Sequence, residues 1–318
     1  MRACPICGCL EFTKYSYNNH LSRMNKRYLK HLAAMLLSPL LRFLNGEYYS
    51  KLKTKMLFSP LYHIVRCNEC GYGVYDRKIE LELVHRYYKK EYWQSGGMPR
   101  SSWHQESLYR EDIRAVGQYN LIKEKIKGFF KIEVLEIGAA GALLSRLLRE
   151  NHEGEVSLSV VESGQGWKEY YAENSIELLS EIFPFETNRK FDYIHTSHWL
   201  EHVYNLDEAL KQIKKCLKTG GLLFIEVPNC HSGYFNLDIG DAPHIHFFTA
   251  KCLCLLLKKY GFTVLSIGEY GLTCEEENIR RNFNTLDEQI IEQGRASEKE
   301  NIPRRYGQYL RGLFELTG

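Results

Sequence analysis

The sequence predicts an α/β fold built on a doubly wound, largely parallel sheet, and three observations carry that reading. The run Val134-Leu135-Glu136-Ile137 is an apolar strand carrying an acid near its end, and Gly138-Ala139-Ala140-Gly141 turns out of it at once. A helix from Ala142 to Asn151 follows, with Leu143, Leu144, Leu147 and Leu148 at helical spacing. A second strand, Val156 to Val161, ends in another acid, Glu162. Strand, glycine turn, helix, strand and acid is the order of the nucleotide half of such a sheet.

The turn separates two kinds of ligand. A dinucleotide needs G-x-G-x-x-G, so that its pyrophosphate can rest on bare backbone at the helix N-terminus. Only Gly138 and Gly141 are present, and Glu136 repels a pyrophosphate. An adenosyl ligand that carries a sulfonium and an ammonium instead of phosphates suits that acid. Glu162 follows the turn at the distance where a carboxylate can hold both ribose hydroxyls.

The next elements follow in order. Phe191 to His198 reads as a strand, and Trp199-Leu200-Glu201-His202-Val203 as the turn after it. Asn205 is an N-cap for a helix with Leu206, Leu210, Ile213 and Leu217 on one face, which Gly220-Gly221 ends. Leu222 to Asn229 is the following strand. The phrases F-D-x-I, L-E-H-V and G-G-x-L-x-I-x-V-P-N, in that order, resemble the class I S-adenosylmethionine-dependent methyltransferases over about residues 105–268. That resemblance implies a Rossmann-like fold and S-adenosylmethionine as cofactor. It assigns Glu136, Gly138, Ala139, Gly141, Glu162 and Ser163 to cofactor binding, with Ser197 and His198 near the methionine part. By position in such a fold, Ser180, Glu181 and Ile182, after the strand Ile176 to Leu179, hold the adenine.

Ahead of this domain, Cys4-Pro5-Ile6-Cys7-Gly8 and Cys67-Asn68-Glu69-Cys70-Gly71 form a pair of C-x2-C-G knuckles. Each turns on its glycine, and together they supply the four thiolates of a closed structural zinc site at Cys4, Cys7, Cys67 and Cys70. The separation between the knuckles is long, and Cys9 is a spare thiol. With the run Leu81 to Trp93 behind it, this zinc-ribbon module is similar to that of a group of sugar and cell-envelope methyltransferases. The resemblance implies that Tyr92 faces substrate; packing of Tyr87, Tyr88 and Tyr92 within a helix is the equal alternative. Residues 21–58 pair the apolar run Leu32 to Leu41 with basic flanks such as Arg23, Lys26, Arg42 and Lys51. The run is too short to span a bilayer. A helical hairpin broken at Ser38-Pro39 and packed on protein is the favoured reading, and an interfacial helix in peripheral contact with anionic lipid the alternative. The expected domains are residues 1–96, 97–270 and a charged helical extension over 271–318, which serves as a tail or an oligomer contact.

An alcohol or sugar hydroxyl that accepts a methyl group needs a base near neutral pKa, which favours histidine. His202, at the carboxyl edge of the sheet, is the expected general base. His244 and His246 lie on a later loop that can reach the same crevice, with His246 expected to orient the acceptor. Sugar C-methyltransferases of the zinc-ribbon group have H-E-H on this loop; Ile245 replaces that acid here, and this departure favours O-methylation over C-methylation. The acceptor expected from the resemblance is therefore a hydroxyl of a sugar or glycan precursor. At 318 residues, 44% apolar and 25% charged, the chain is an ordinary globular one with room for a core plus a small module. A net charge of +3 is below that of a dedicated nucleic-acid binder, so an RNA methyltransferase is the weaker reading. Replacement of the middle glycine by Ala139-Ala140 is the one feature that favours a non-catalytic partner protein. Ten scattered cysteines behind an N-terminus without a signal-peptide core point to the reducing cytoplasm, with the inner face of the membrane in reach if residues 21–58 bind lipid.

Overall fold

The computed structural model describes residues 3–16, 63–76, 81–86, 105–164, 166–231, 233–236, 244–283 and 285–318. Tyr92 and the 21–58 insert lie outside the described residues. Among the described residues, no helix is long and apolar enough to cross a membrane.

The nucleotide half forms as expected. Strand β4 (Lys131–Ile137) leads through the glycine turn into α3 (Leu143–Asn151), and β5 (Glu155–Val161) pairs parallel to β4. Helix α4 (Trp167–Glu173) and β6 (Glu177–Ser180) complete the outer edge. On the other side, β7 (Phe191–Ser197) pairs parallel to β4, and β8 (Leu217–Pro228) parallel to β7. Strands β10 (Phe262–Thr273) and β11 (Gly307–Leu316) close the sheet, and β11 is inserted antiparallel between β8 and β10. The seven strands stand in the order β10-β11-β8-β7-β4-β5-β6.

Period-two alternation along the strands divides the core between the two faces. Leu135, Ile137, Ile194, Leu223 and Ile225 face α5 (Leu206–Cys216) and α6 (Ala250–Lys259), which contribute Leu210, Ile213, Leu253 and Leu257. Val134, Val160, Tyr193 and Phe224 face the opposite layer, where α2 (Gln105–Ile126), α3 and α4 bury Ile122, Leu144, Leu148 and Trp167. Both faces of the central strands are therefore covered, which is why their sequences read as nearly continuous apolar runs.

Two boundaries differ from the sequence reading. Helix α5 ends at Cys216, and Leu217 belongs to β8, where it is buried opposite Phe191. Gly220, at φ +76°, sits in the bulge between the Phe191–Leu217 and Tyr193–Leu222 pairs rather than capping the helix. Residues 271–318 are also not a helical appendage. They contain α7 (Cys274–Phe283) and α8 (Glu288–Glu300), but the chain then returns as β11, inserted between the edge strand β10 and β8.

The N-terminal part makes a second sheet, with β1 (Phe12–Ser16), β2 (His63–Cys67) and β3 (Gly73–Tyr75) in antiparallel order. Its fourth strand, β9 (His246–Phe247), comes from the loop that carries the two late histidines. The short helix α1 (Leu81–Arg86) follows β3.

Candidate active site

The turn after β4 is held in an unusual backbone. Gly138 lies at φ +73°, and a Cβ there would stand 2.9 Å from the Trp199 ring, so glycine is required both by conformation and by close approach. Ala140 and Ala142 adopt φ +44° and +49°, left-handed values that alanine rarely takes. They are held by their surroundings. Ala140 donates its N–H to Glu162 Oε2 at 2.9 Å and accepts from Tyr171 OH at 2.7 Å, while Tyr170 OH donates to Gly141 O at 3.0 Å. Ala140, between Gly138 and Gly141, and Ala142, just after Gly141, thus take the conformation that glycines would have supplied.

Two carboxylates flank this turn. Glu136 is buried on β4 facing the first turn of α3, where Ser145 donates its hydroxyl to it and its backbone N–H also favours the anion. Burial pushes its pKa up to about 7 against those bonds. Glu162 accepts from Gly164 N–H at 3.0 Å as well as from Ala140, with Ser163 Oγ at 3.4 Å; burial nonetheless raises its pKa. Ser180 closes the neighbouring strand end, and its carbonyl accepts from Glu162 N–H at 3.1 Å. Ser180 Oγ bonds Ile182, whose side chain is 61% exposed beside the exposed Glu181. Ala139 is buried behind the turn.

Trp199, which covers Gly138, also begins the turn that holds the histidines. The 3₁₀ segment Leu200–His202 places Glu201 at 1% exposure, and its carboxylate faces three imidazoles. Glu201 Oε1 is 3.3 Å from His198 Nδ1, 3.6 Å from His202 Nε2 and 3.9 Å from His244 Nε2. The His202 and His244 rings lie 4.9 Å apart at 55°. Burial disfavours the Glu201 anion, but the His202, His198 and His244 rings outweigh it and hold its pKa down to about 2. His198 is pushed up to about 9, because Glu201 and Glu226 overcome its burial; it also sits at φ +50°. Burial lowers His244 to about 4. The structure thus brings His198, His202 and His244 together.

His246 is a correction to the sequence reading. Its Nδ1 takes Tyr72 OH at 2.6 Å and its Nε2 donates to Val203 O at 2.7 Å, with the ring buried. Both nitrogens are committed to joining the N-terminal sheet to the turn after His202, so this ring cannot orient an acceptor.

Sequence reasoning missed a buried network directly beneath the cluster. Glu226, fully buried on β8, binds Arg311 Nε of β11 at 2.6 Å, Gln118 Nε2 at 3.0 Å and Ser197 Oγ at 2.9 Å. Arg114 Nε lies 3.6 Å away and His198 Nε2 3.5 Å away. Burial opposes the Glu226 charge, and Arg311, His198 and Arg114 overcome it, so its pKa falls well below the ordinary carboxylate value. Ser197, expected at the cofactor, is a member of this network. The one signal in the sequence was a glutamate within an otherwise apolar strand, Leu222 to Val227.

The four knuckle cysteines converge as well. Cys4 and Cys70 sulfurs are 3.6 Å apart, those of Cys7 and Cys67 3.5 Å, and all four lie within 4.8 Å of one another. Zinc–sulfur bonds of about 2.3 Å give tetrahedral edges of roughly 3.8 Å, so the donor set fits that ion. Gly8 and Gly71, at φ +77° and +79°, return their N–H groups to Cys4 O and Cys67 O. None of the ten cysteines is in a disulfide.

A family model described as "Methyltransferase domain" matches residues 103–267. A ubiquinone biosynthesis O-methyltransferase of Rickettsia bellii is 28% identical over 134 residues, 40% of this chain and 56% of the relative. The (S)-coclaurine N-methyltransferase of Papaver somniferum is 35% identical over 92 residues, 28% of this chain and 26% of that protein. The chain thus matches little more than half the length of the first relative and about a quarter of the second. A solved SAM-dependent methyltransferase from Archaeoglobus fulgidus aligns with TM-score 0.46 at 20% identity, covering 66% of this chain and 99% of that one.

Proposed function

The chain belongs to the methyltransferase-domain family, and from that premise we propose that it transfers a methyl group from S-adenosylmethionine to a hydroxyl of a small molecule, a sugar or glycan precursor. The observation that carries this reading is the pair of buried carboxylates on adjacent strand ends, Glu136 and Glu162, facing one left-handed turn. Two acids and a turn of bare backbone suit an adenosyl ligand with cationic ends. Bound there, S-adenosylmethionine supplies an electrophilic methyl group on a sulfonium. Glu162 holds the ribose hydroxyls and Glu136 attracts the ammonium. Trp199 against Gly138 links this half of the site to the histidines.

The acceptor half is the Glu201–His202–His244 cluster. In-line displacement asks the protein mainly to align two groups and exclude water. His202 is where the hydroxyl proton leaves, with Glu201 behind it to orient the ring. The O-methyltransferase name of the Rickettsia relative supports oxygen as the acceptor atom. Cys4, Cys7, Cys67 and Cys70 hold a structural zinc, and Tyr92 faces the acceptor.

Calorimetry with S-adenosylhomocysteine tests the cofactor half. Binding should be in the micromolar range, and Glu162→Ala should weaken it by about 1–3 kcal/mol, because ribose hydroxyls lose their partner. A wild-type protein that binds neither S-adenosylmethionine nor its product overturns the reading. For the acceptor half, His202→Ala should cut turnover by about 10²–10⁴-fold while cofactor affinity stays within a few-fold. Turnover within about threefold of wild type removes the histidine from the mechanism.

A further inference from the structure

We propose that Glu201, His202 and His244 form a second metal site that takes a divalent transition cation of the zinc type at the acceptor side of the crevice. Glu201 is 1% exposed, and neither of its carboxylate oxygens accepts a hydrogen bond among the described residues. His198 is shared between Glu201 and Glu226, so a buried carboxylate without a hydrogen bond still gains from a further cation. Three ring nitrogens face its Oε1, His198 Nδ1 at 3.3 Å, His202 Nε2 at 3.6 Å and His244 Nε2 at 3.9 Å. Ligands held at about 2.0–2.2 Å around one tetrahedral ion stand roughly 3.4 Å from each other. The Glu201–histidine spacings are therefore close to those of ligands sharing an ion, and the three donor atoms lie within 4.8 Å of one another. His244 Nδ1, the ring nitrogen other than the one facing Glu201, is buried without a hydrogen-bond partner among the described residues.

Two imidazoles and one carboxylate leave coordination positions open, the arrangement of catalytic rather than structural zinc. The knuckle site, by contrast, presents four thiols and is closed. The chemical role of the cation rests on the hydroxyl-acceptor reading above, whereas its binding does not. An ion there would take His202 as a ligand in place of its role as base, and would acidify an acceptor hydroxyl bound to it, whose proton would pass to solvent. His198, beside the same Glu201 oxygen and 3.5 Å from Glu226, balances the buried charge of both carboxylates.

The test loads the full-length protein with Zn²⁺, dialyses it and counts metal by elemental analysis. Glu201→Gln and His244→Ala should each hold one equivalent less than wild type, with unchanged far-ultraviolet circular dichroism. Co²⁺ gives an independent readout. The Glu201-dependent ion should show weak visible ligand-field bands and none of the intense thiolate bands of the knuckle site. Equal stoichiometry in wild type, Glu201→Gln and His244→Ala overturns the proposal. Should Glu201→Gln fail to fold, the His244→Ala count alone decides. S-adenosylhomocysteine binding, measured on the same samples, keeps the two readings apart. Retained cofactor binding without a Glu201-dependent metal removes only the ion, and bound metal without cofactor binding removes only the methyl-transfer reading.

Discussion

At the scale of single residues, Glu136 makes a pH-dependent prediction. Its native pKa of about 7 lies above the ordinary carboxylate value because burial disfavours the anion. The native state therefore keeps a proton that the unfolded chain releases, and this contribution to stability is present below the ordinary carboxylate pKa and lost as pH rises through about 7. Cofactor binding has the opposite sign, because an ammonium prefers the ionised form. Affinity for S-adenosylhomocysteine should rise about tenfold between about pH 6 and about pH 8, and Glu136→Gln should flatten that slope. An unchanged slope in Glu136→Gln assigns the dependence to another group. The alanine turn offers a second check. Ala140 sits at φ +44°, so Ala140→Val should destabilise by about 1–3 kcal/mol in thermal or urea unfolding, whereas Ala140→Gly should cost little. Equal stabilities for the two variants argue against strain in the turn. The strand-end and turn positions of Glu136, Gly138 and Glu162 were legible in the sequence because strand ends and turns are local features. His246 was not, since its role depends on which groups meet its two nitrogens across 174 residues (Tyr72) and 43 residues (Val203).

At the scale of elements, the sheet was readable wherever apolar periodicity dominated and obscure where a charge is buried. β11 carries Arg311 and Glu315 beside apolar residues and follows two charged helices, so its composition resembles a tail. Its place between β8 and β10 is explained by one long-range pair: Arg311 reaches across to Glu226, and both side chains are fully buried. Arg311 also donates to Glu298 O at 2.6 Å and Asn301 Oδ1 at 3.0 Å, which ties α8 to the strand. Arg311→Met leaves the Glu226 carboxylate with one close cation fewer in a dry core. That should cost about 3–5 kcal/mol in urea unfolding, and the double variant Arg311→Met/Glu226→Gln should recover a large part of it. Additive losses in the double variant argue against coupling between the two strands. Because Glu226 also faces His198, the single variant should disturb the histidine cluster from below.

At the scale of the whole molecule, the knuckle module and the loop that carries His244 and His246 are one structure. β3 pairs with β9 through Gly73–Phe247 and Val74–His246, Tyr72 bonds His246, and Thr249 Oγ1 donates to Cys70 O at 2.8 Å. Lys251 forms an ion pair with Glu69 of the second knuckle. His244 stands two residues before β9 and reaches Glu201, so the position of the acceptor-side cluster depends on knuckles far away in sequence. The cofactor side has no such dependence. Glu136, Gly138 and Glu162 are set by β4, β5 and α3, whose packing is internal to the main sheet. Loss of the knuckle metal should therefore divide the two halves of the site. In Cys67→Ser, hydrogen exchange should quicken at Ile245 and Phe248 and their neighbours, whose strand and turn hydrogen bonds end on this loop. Affinity for S-adenosylhomocysteine should stay within a few-fold, while turnover falls as His244 loses its place beside Glu201. Exchange unchanged at residues 245–248, or cofactor affinity lost in step with turnover, means that the module does not act through this loop.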